Sequence, residues 1–304
     1  MEDRVYDVGD SLFTIAPDFG CNLHKWQLAG EDILYCPAGF PTSGAAPFAG
    51  GNPVLYPAVG RTWDRSEATP VADQYKLHEH DAPLMMPCHG IVAFGSWTLL
   101  DENVTATETT VGFQFEIAEE ARAGRYPFDI RFSLSYILRP NAVTIRAHFQ
   151  NVGGTAAPVA YGLHPYFSIS RKTDIAIDLP CDTRVVLDTE LLIPIGAEPL
   201  PDNVLNFGDS EGCDAGYSGA PGGTAQLRDT GAGRSVTIRT DNRIDTWVVY
   251  ADTNNDFVCI EPWTPGLGGY QDLGTEGWQR RQKVPVLAPS EEVDVEITYE
   301  VTNL

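Results

Sequence analysis

The chain is short of positive charge. Its 304 residues include 20 lysines and arginines against 42 aspartates and glutamates, a formal net charge of −22. A surface of that sign repels phosphate backbones and anionic bilayers, so neither nucleic acid nor a membrane is expected as a partner. Long apolar runs are missing as well, none reaching the roughly 18 residues that a membrane helix needs. Met1-Glu2-Asp3-Arg4 lacks the basic-then-apolar pattern of an export signal. The expectation is a soluble protein in the cytoplasm. The six cysteines (Cys21, Cys36, Cys88, Cys181, Cys213 and Cys259) make no CxxC pair and no metal-like cluster. With no export signal, free thiols are expected rather than disulfides. No segment sustains a helical period with caps at both ends. Also missing are a glycine-rich phosphate loop opening a helix and a Gly-x-Ser-x-Gly nucleophile elbow.

Alternation is what the chain has in abundance. Val111, Phe113, Phe115 and Ile117 alternate with polar residues or glycine, and Phe132, Leu134, Tyr136 and Leu138 form a second set with Ser133, Ser135 and Ile137 between them. Val143, Ile145, Ala147 and Phe149 make a third set, and Val293, Val295, Ile297, Tyr299 and Val301 a fourth. Period two with one apolar face is the pattern of antiparallel strands half covered by a core. Thr246–Tyr250 and Phe257–Ile260 are instead apolar throughout, as expected of strands covered on both faces. The 29 glycines and 22 prolines supply turns between them. Gly212–Gly223, rich in glycine, reads as a loop inside the fold. No internal repeat or composition break marks a linker. The expectation is one all-β domain over residues 1–304, a large antiparallel β-sandwich of two packed sheets with little helix.

Four islands break the strand pattern. Gly50-Gly51-Asn52-Pro53 through Gly60-Arg61-Thr62-Trp63 delivers Arg61, whose rigid fork of donors suits vicinal hydroxyls or a carboxylate. Met86-Pro87-Cys88-His89-Gly90-Ile91 places His89 at the end of a loop. Tyr161-Gly162-Leu163-His164-Pro165-Tyr166-Phe167 holds His164 extended before proline, between aromatic residues. Cys259-Ile260-Glu261-Pro262-Trp263 ends a buried strand on a carboxylate, which must there be paired, hydrogen-bonded or poised for proton transfer. His148 falls on the polar face of its strand, and His78 and His80 lie in an exposed polar stretch without a third ligand at metal-site spacing. No metal and no cofactor are expected. Imidazole and carboxylate together suit the movement of two protons between oxygens near neutral pH. Aromatic faces such as Trp263 suit the apolar side of a sugar. A lone carboxylate is not the pair that glycoside hydrolysis usually uses.

In this order and spacing the four islands resemble those of the aldose 1-epimerases, the galactose mutarotase-like proteins, over nearly the whole chain. The resemblance implies that family's large antiparallel β-sandwich, with an active-site cleft on one sheet. It implies anomer interconversion of a small-molecule aldose by ring opening and reclosure. His164 would protonate the ring oxygen, and Glu261 would take the proton of the anomeric hydroxyl. Arg61, His89 and Trp263 would bind the sugar. The family's sugar-binding aspartate corresponds best to Asp214, with Asp245 as the weaker match. After Trp263 the chain lacks the asparagine-rich continuation common in the family, which leaves the preferred sugar open. A branch acting on hexose 6-phosphates needs a basic cradle, for which Arg61, Arg65 and Arg125 are the candidates. A sugar-binding protein without turnover is a further alternative. The expected assembly is a monomer or homodimer.

Overall fold

The structure is a computed structural model that describes residues 2–40, 47–64, 70–208, 212–280 and 284–304. Its largest unit is a nine-stranded antiparallel sheet. In spatial order the strands are Trp97–Val104, Thr109–Phe115, Ile130–Arg139, Ala142–Asn151, Glu292–Asn303, Arg234–Thr240, Gly223–Asp229, Ile175–Asp178 and Val204–Asn206. All four alternating segments of the sequence lie here. On Ile130–Arg139 every second residue is buried, from Ile130 through Phe132, Leu134 and Tyr136 to Leu138. Fully burying one such side chain contributes roughly 1.5–3 kcal/mol, so the face that turns inward is fixed by several residues at once.

An eight-stranded antiparallel sheet packs against this one. Its path runs Pro194–Pro199, Thr183–Leu187, Cys213–Ser218, Thr246–Ala251, Phe257–Trp263, Gly162–Leu163 and Val54–Leu55, and Tyr166–Ser168 pairs alongside Gly162–Leu163 on Phe257–Trp263. Aromatic contacts tie the two sheets together. The rings of Phe167 and Tyr299 lie 5.4 Å apart edge to face, and those of Tyr161 and Phe149 lie 5.5 Å apart. Tyr56 stacks on Phe149 at 5.1 Å. A four-stranded sheet, Arg4–Val8, Ser11–Ala16, Asn22–Leu28 and Glu31–Asp32, adds further residues to the same core.

Phe257–Trp263 is buried at every position, as its unbroken apolar run requires. One face meets the core and the other is the floor of a cleft. The segment 212–223 departs from its expected reading. Cys213–Ser218 is a strand, paired with Thr183–Leu187 on one side and Thr246–Ala251 on the other. Its glycine, Gly216, would place a Cβ 3.0 Å from Leu267 Cδ2, a tight contact that the end of the leucine side chain would have to relieve. Glycine content alone concealed a strand. The one α-helix among the described residues is the single stretch Glu119–Gly124. No helix of the described residues is long and apolar enough to cross a membrane. All six cysteines are free, with Cys21, Cys181 and Cys259 buried and the other three half-buried.

Candidate active site

The cleft floor is built from cross-strand rows of the eight-stranded sheet. Successive residues of a strand point to opposite faces, so a row of directly paired residues shares one face. Asp214 pairs with Tyr250, Tyr250 with Cys259, and Cys259 with Tyr166. The next row joins Gly216 to Val248 and Val248 to Glu261. Gly162 pairs with Trp263 and Tyr166 with Cys259, and the same register carried between them sets His164 opposite Glu261. Sheet pairing thus unites two islands about a hundred residues apart.

His164 Nε2 lies 3.3 Å from Glu261 Oε1, and both side chains are almost fully withdrawn from water, at 8% and 1% exposure. His164 N–H donates to the Pro53 carbonyl at 3.0 Å, which anchors its backbone. Its ring stacks on Tyr166 at 4.8 Å and 13°. His164 Nδ1 and Glu261 Oε2 are buried without a hydrogen bond of full geometry. Burial pushes the Glu261 carboxyl well above its usual range, with the negative charge of Asp214 adding to the effect. Burial likewise pushes the His164 imidazole well below its usual range, helped by His89. Each group by itself therefore favours its uncharged form. Neutral imidazole beside neutral carboxyl, and imidazolium beside carboxylate, hold the same single proton between Nε2 and Oε1. The pair is best treated as one unit with one proton.

The loop islands close the cleft from the side. Gly60 N–H donates to His89 Nδ1 at 3.2 Å, and His89 N–H donates to the Gly60 carbonyl at 3.0 Å. Because Nδ1 accepts, the neutral His89 ring carries its proton on Nε2. Burial and the nearby Arg61 charge push its pKa down to about 4. His89 has φ +65° and Gly90 has φ +84°. A Cβ at Gly90 would sit 2.1 Å from the Tyr56 carbonyl oxygen, so only glycine allows the two islands to meet there. Gly162 plays a similar part on the floor. A Cβ would fall 2.4 Å from Trp263 Cδ1, so the absence of one leaves the indole its room. His89 and Trp263 rings meet edge to face at 5.6 Å.

The resulting cavity has a volume of about 270 Å³. That is below the roughly 300–1,000 Å³ of pockets for drug-sized ligands and suits a smaller molecule. Arg61, His89, His164, Asp214, Glu261 and Trp263 all line it. Asp245 does not, and its carboxylate instead accepts from Thr246 Oγ1 at 2.8 Å. Arg125 lines a separate cavity with Asp73, Met85 and Pro87. Arg65 lies outside the described residues. His78 and His80 are not in the cleft, and His148 pairs with Asp294 at 2.8 Å on the outer surface.

Phe48 was not singled out from the sequence, yet its ring lies 4.9 Å from His89 and 5.9 Å from His164. A lone aromatic residue in the Gly/Ala/Pro stretch before Gly50 was the available signal. Tyr250, read only as a strand residue, also lines the cleft, 6.3 Å from His164. The cleft thus offers a buried proton-carrying pair, one guanidinium with one exposed carboxylate, and several aromatic walls.

Comparison with known proteins bears on the family and the fold. A family model described as aldose 1-epimerase matches residues 9–300. No curated protein matches the chain in sequence. A crystal structure of a protein from Synechocystis sp. PCC 6803 is similar at 17% identity and TM-score 0.81, covering 100% of this chain and 96% of that one. A galactose mutarotase-like protein from Clostridium acetobutylicum aligns at 18% identity and TM-score 0.80, covering 99% and 95%. A galactose 1-epimerase from Lactobacillus acidophilus NCFM aligns at 17% identity and TM-score 0.75, covering 98% and 93%.

Proposed function

The chain belongs to the aldose 1-epimerase family, and we propose that it interconverts the α and β anomers of a free, uncharged aldose. The observation that carries this reading is the His164–Glu261 pair, 3.3 Å apart on a cleft floor walled by aromatic rings. In the reactive form of the pair His164 holds the shared proton and Glu261 is ionised. Glu261 takes the proton of the anomeric hydroxyl as the bond between the anomeric carbon and the ring oxygen breaks. His164 delivers its proton to the ring oxygen. The open aldehyde turns about the bond to its neighbouring carbon, and the two transfers run in reverse to close the other anomer. One proton enters the sugar and one leaves in each half, so the pair ends as it began.

A bound sugar helps this form in a specific way. Hydroxyl groups replace the apolar surroundings that make either charge costly, and Asp214 and Arg61 are at hand in the same cleft to orient them. His89, neutral at working pH, offers its Nε2 proton as a fixed donor. Trp263, Phe48 and Tyr250 present aromatic faces for the apolar side of the sugar ring.

Among the described residues Arg61 is the one cationic side chain lining the cleft, and Asp214 shares that cleft. This favours a neutral aldose over a hexose 6-phosphate, which would need a surplus of positive charge. Polarimetry with freshly dissolved α-glucose and α-galactose, together with NMR exchange on glucose 6-phosphate, tests the reading. Faster mutarotation of a neutral sugar supports it. Acceleration of the phosphate alone would transfer the activity to the phosphorylated class, and acceleration of none would leave a binding protein.

A further inference from the structure

Cys259 takes no part in the proton transfers described above, yet it lies fully buried beside them, on the strand that forms the cleft floor. It is two residues from Glu261 on an extended strand, so both side chains leave the same face. Its cross-strand partner Tyr166 is two residues from His164. The sulfur of Cys259, one imidazole nitrogen of His164 and one carboxylate oxygen of Glu261 all lie within 4.8 Å of one another, and all three residues are buried. Spacing along the chain does not reveal this group, because it is sheet register that brings His164 to the other two.

Two features mark the group as more than chance proximity. Glu261 Oε2 is buried without a hydrogen bond of full geometry, the Trp263 indole being the one donor that acts on the carboxyl, so the carboxylate keeps a lone pair to offer inside the protein. His164 and Glu261 already stand 3.3 Å apart. In a tetrahedral zinc site, bond lengths of about 2.0–2.3 Å separate neighbouring ligand atoms by roughly 3.5 Å, so the sulfur needs a movement of about an ångström to complete such a site. Thiolate, imidazole and carboxylate together form a donor set for a thiophilic divalent cation, and the fourth position would face the cleft.

We propose that Cys259, His164 and Glu261 form an inhibitory binding site for a thiophilic divalent cation of the zinc class. The cation takes the electron pairs with which Glu261 accepts a proton and His164 holds one, so a loaded site cannot move protons. Binding releases the thiol proton of Cys259 and the proton shared by the pair. Cation and sugar therefore compete for the same floor. The inhibitory half of the proposal rests on the function proposed above, whereas the binding half stands on the geometry alone.

Cobalt(II) titration of the chelator-stripped protein tests binding by optical absorption, independently of any activity. One equivalent is expected to produce thiolate-to-cobalt charge-transfer absorption, removed by stoichiometric zinc. Cys259→Ser is expected to abolish that band and weaken zinc binding by more than the roughly 10–100-fold that losing a mere outer partner of a ligand costs, while Cys88→Ser, which alters the half-buried thiol at the cleft wall, is expected to keep it. Circular dichroism of each variant shows that it is folded. With a turned-over aldose, zinc is expected to slow the wild type, and sugar is expected to raise the zinc concentration required. Absence of the band in the wild type, or its loss in Cys88→Ser but not Cys259→Ser, overturns the site. A band with no slowing of mutarotation overturns the inhibition. If the protein turns over no aldose, the function proposed above fails and the cobalt band still decides whether the site binds.

Discussion

Replacing His89 by asparagine isolates the cost of burying an imidazole in the cleft wall. Asparagine Oδ1 can stand where Nδ1 stands and accept the Gly60 N–H, so the contact between the loops survives. Burial and Arg61 move the histidine from its ordinary 6.5 to about 4. Its folded pKa is thus depressed, and the stability linked to it is complete above about pH 6.5 and is lost as the pH falls toward 4. Over that window the unfolded chain binds a proton at this site that the folded chain refuses. At about 1.4 kcal/mol per unit the displacement amounts to about 3 kcal/mol. The ring keeps some access to solvent through the cleft, so about 2 kcal/mol is the working expectation after screening. Urea unfolding at about pH 7 and about pH 4.5 measures it. Wild type should lose about 2 kcal/mol more than His89→Asn between the two conditions, because every other titrating group is common to both proteins. Equal losses would show that His89 is protonated freely in the folded state, and the neutral-donor role assigned to it would fail.

The pH profile of kcat/KM should be bell-shaped and broad: burial lowers the affinity of His164 for a second proton and raises the hold of Glu261 on the first. An optimum confined between about pH 4.5 and 6.5, where ordinary glutamate and histidine would place it, would show that the pair is not buried together. Arg61→Ala should raise KM with kcat little changed, since hydroxyl contacts persist in ground and transition states; a fall in kcat alone would make Arg61 part of the chemistry. Gly90→Ala should cost about 1–3 kcal/mol or more, because its Cβ would overlap the Tyr56 carbonyl in a left-handed backbone, and a denaturant midpoint equal to wild type would contradict that contact.

The sandwich was legible because alternation is a local signal. Each residue of the strand Ile130–Arg139 declares its face without reference to the rest of the chain. The strand Cys213–Ser218 was hidden because Gly216 and its neighbours look like a loop until their pairing with Thr183–Leu187 and Thr246–Ala251, both distant in the chain, is seen. Arg61, His89, His164 and Glu261 stood out as polar residues at the ends of apolar or glycine-bracketed stretches. Asp214 ranked above Asp245 on resemblance alone, and the physical reason it reaches the cleft is the sheet pairing that places it in the row of Tyr250 and Cys259. Phe48 carried no periodicity at all, and its place against two histidine rings depends on where a non-repetitive segment crosses the cleft. The relation of Cys259 to His164 is one of register, which a sequence read residue by residue does not contain.

The central claim is that the buried pair moves the protons of anomer exchange. NMR saturation transfer between the α and β anomers of an aldose measures that exchange directly, at equilibrium and without a coupled reaction. Wild-type protein should speed it well above the buffer rate. Glu261→Gln and His164→Gln should each lose on the order of 10²–10⁴-fold in kcat, with the sugar still bound. Wild-type exchange rates carried over to Glu261→Gln, with only KM raised, would contradict the account and move the search for the base to Asp214.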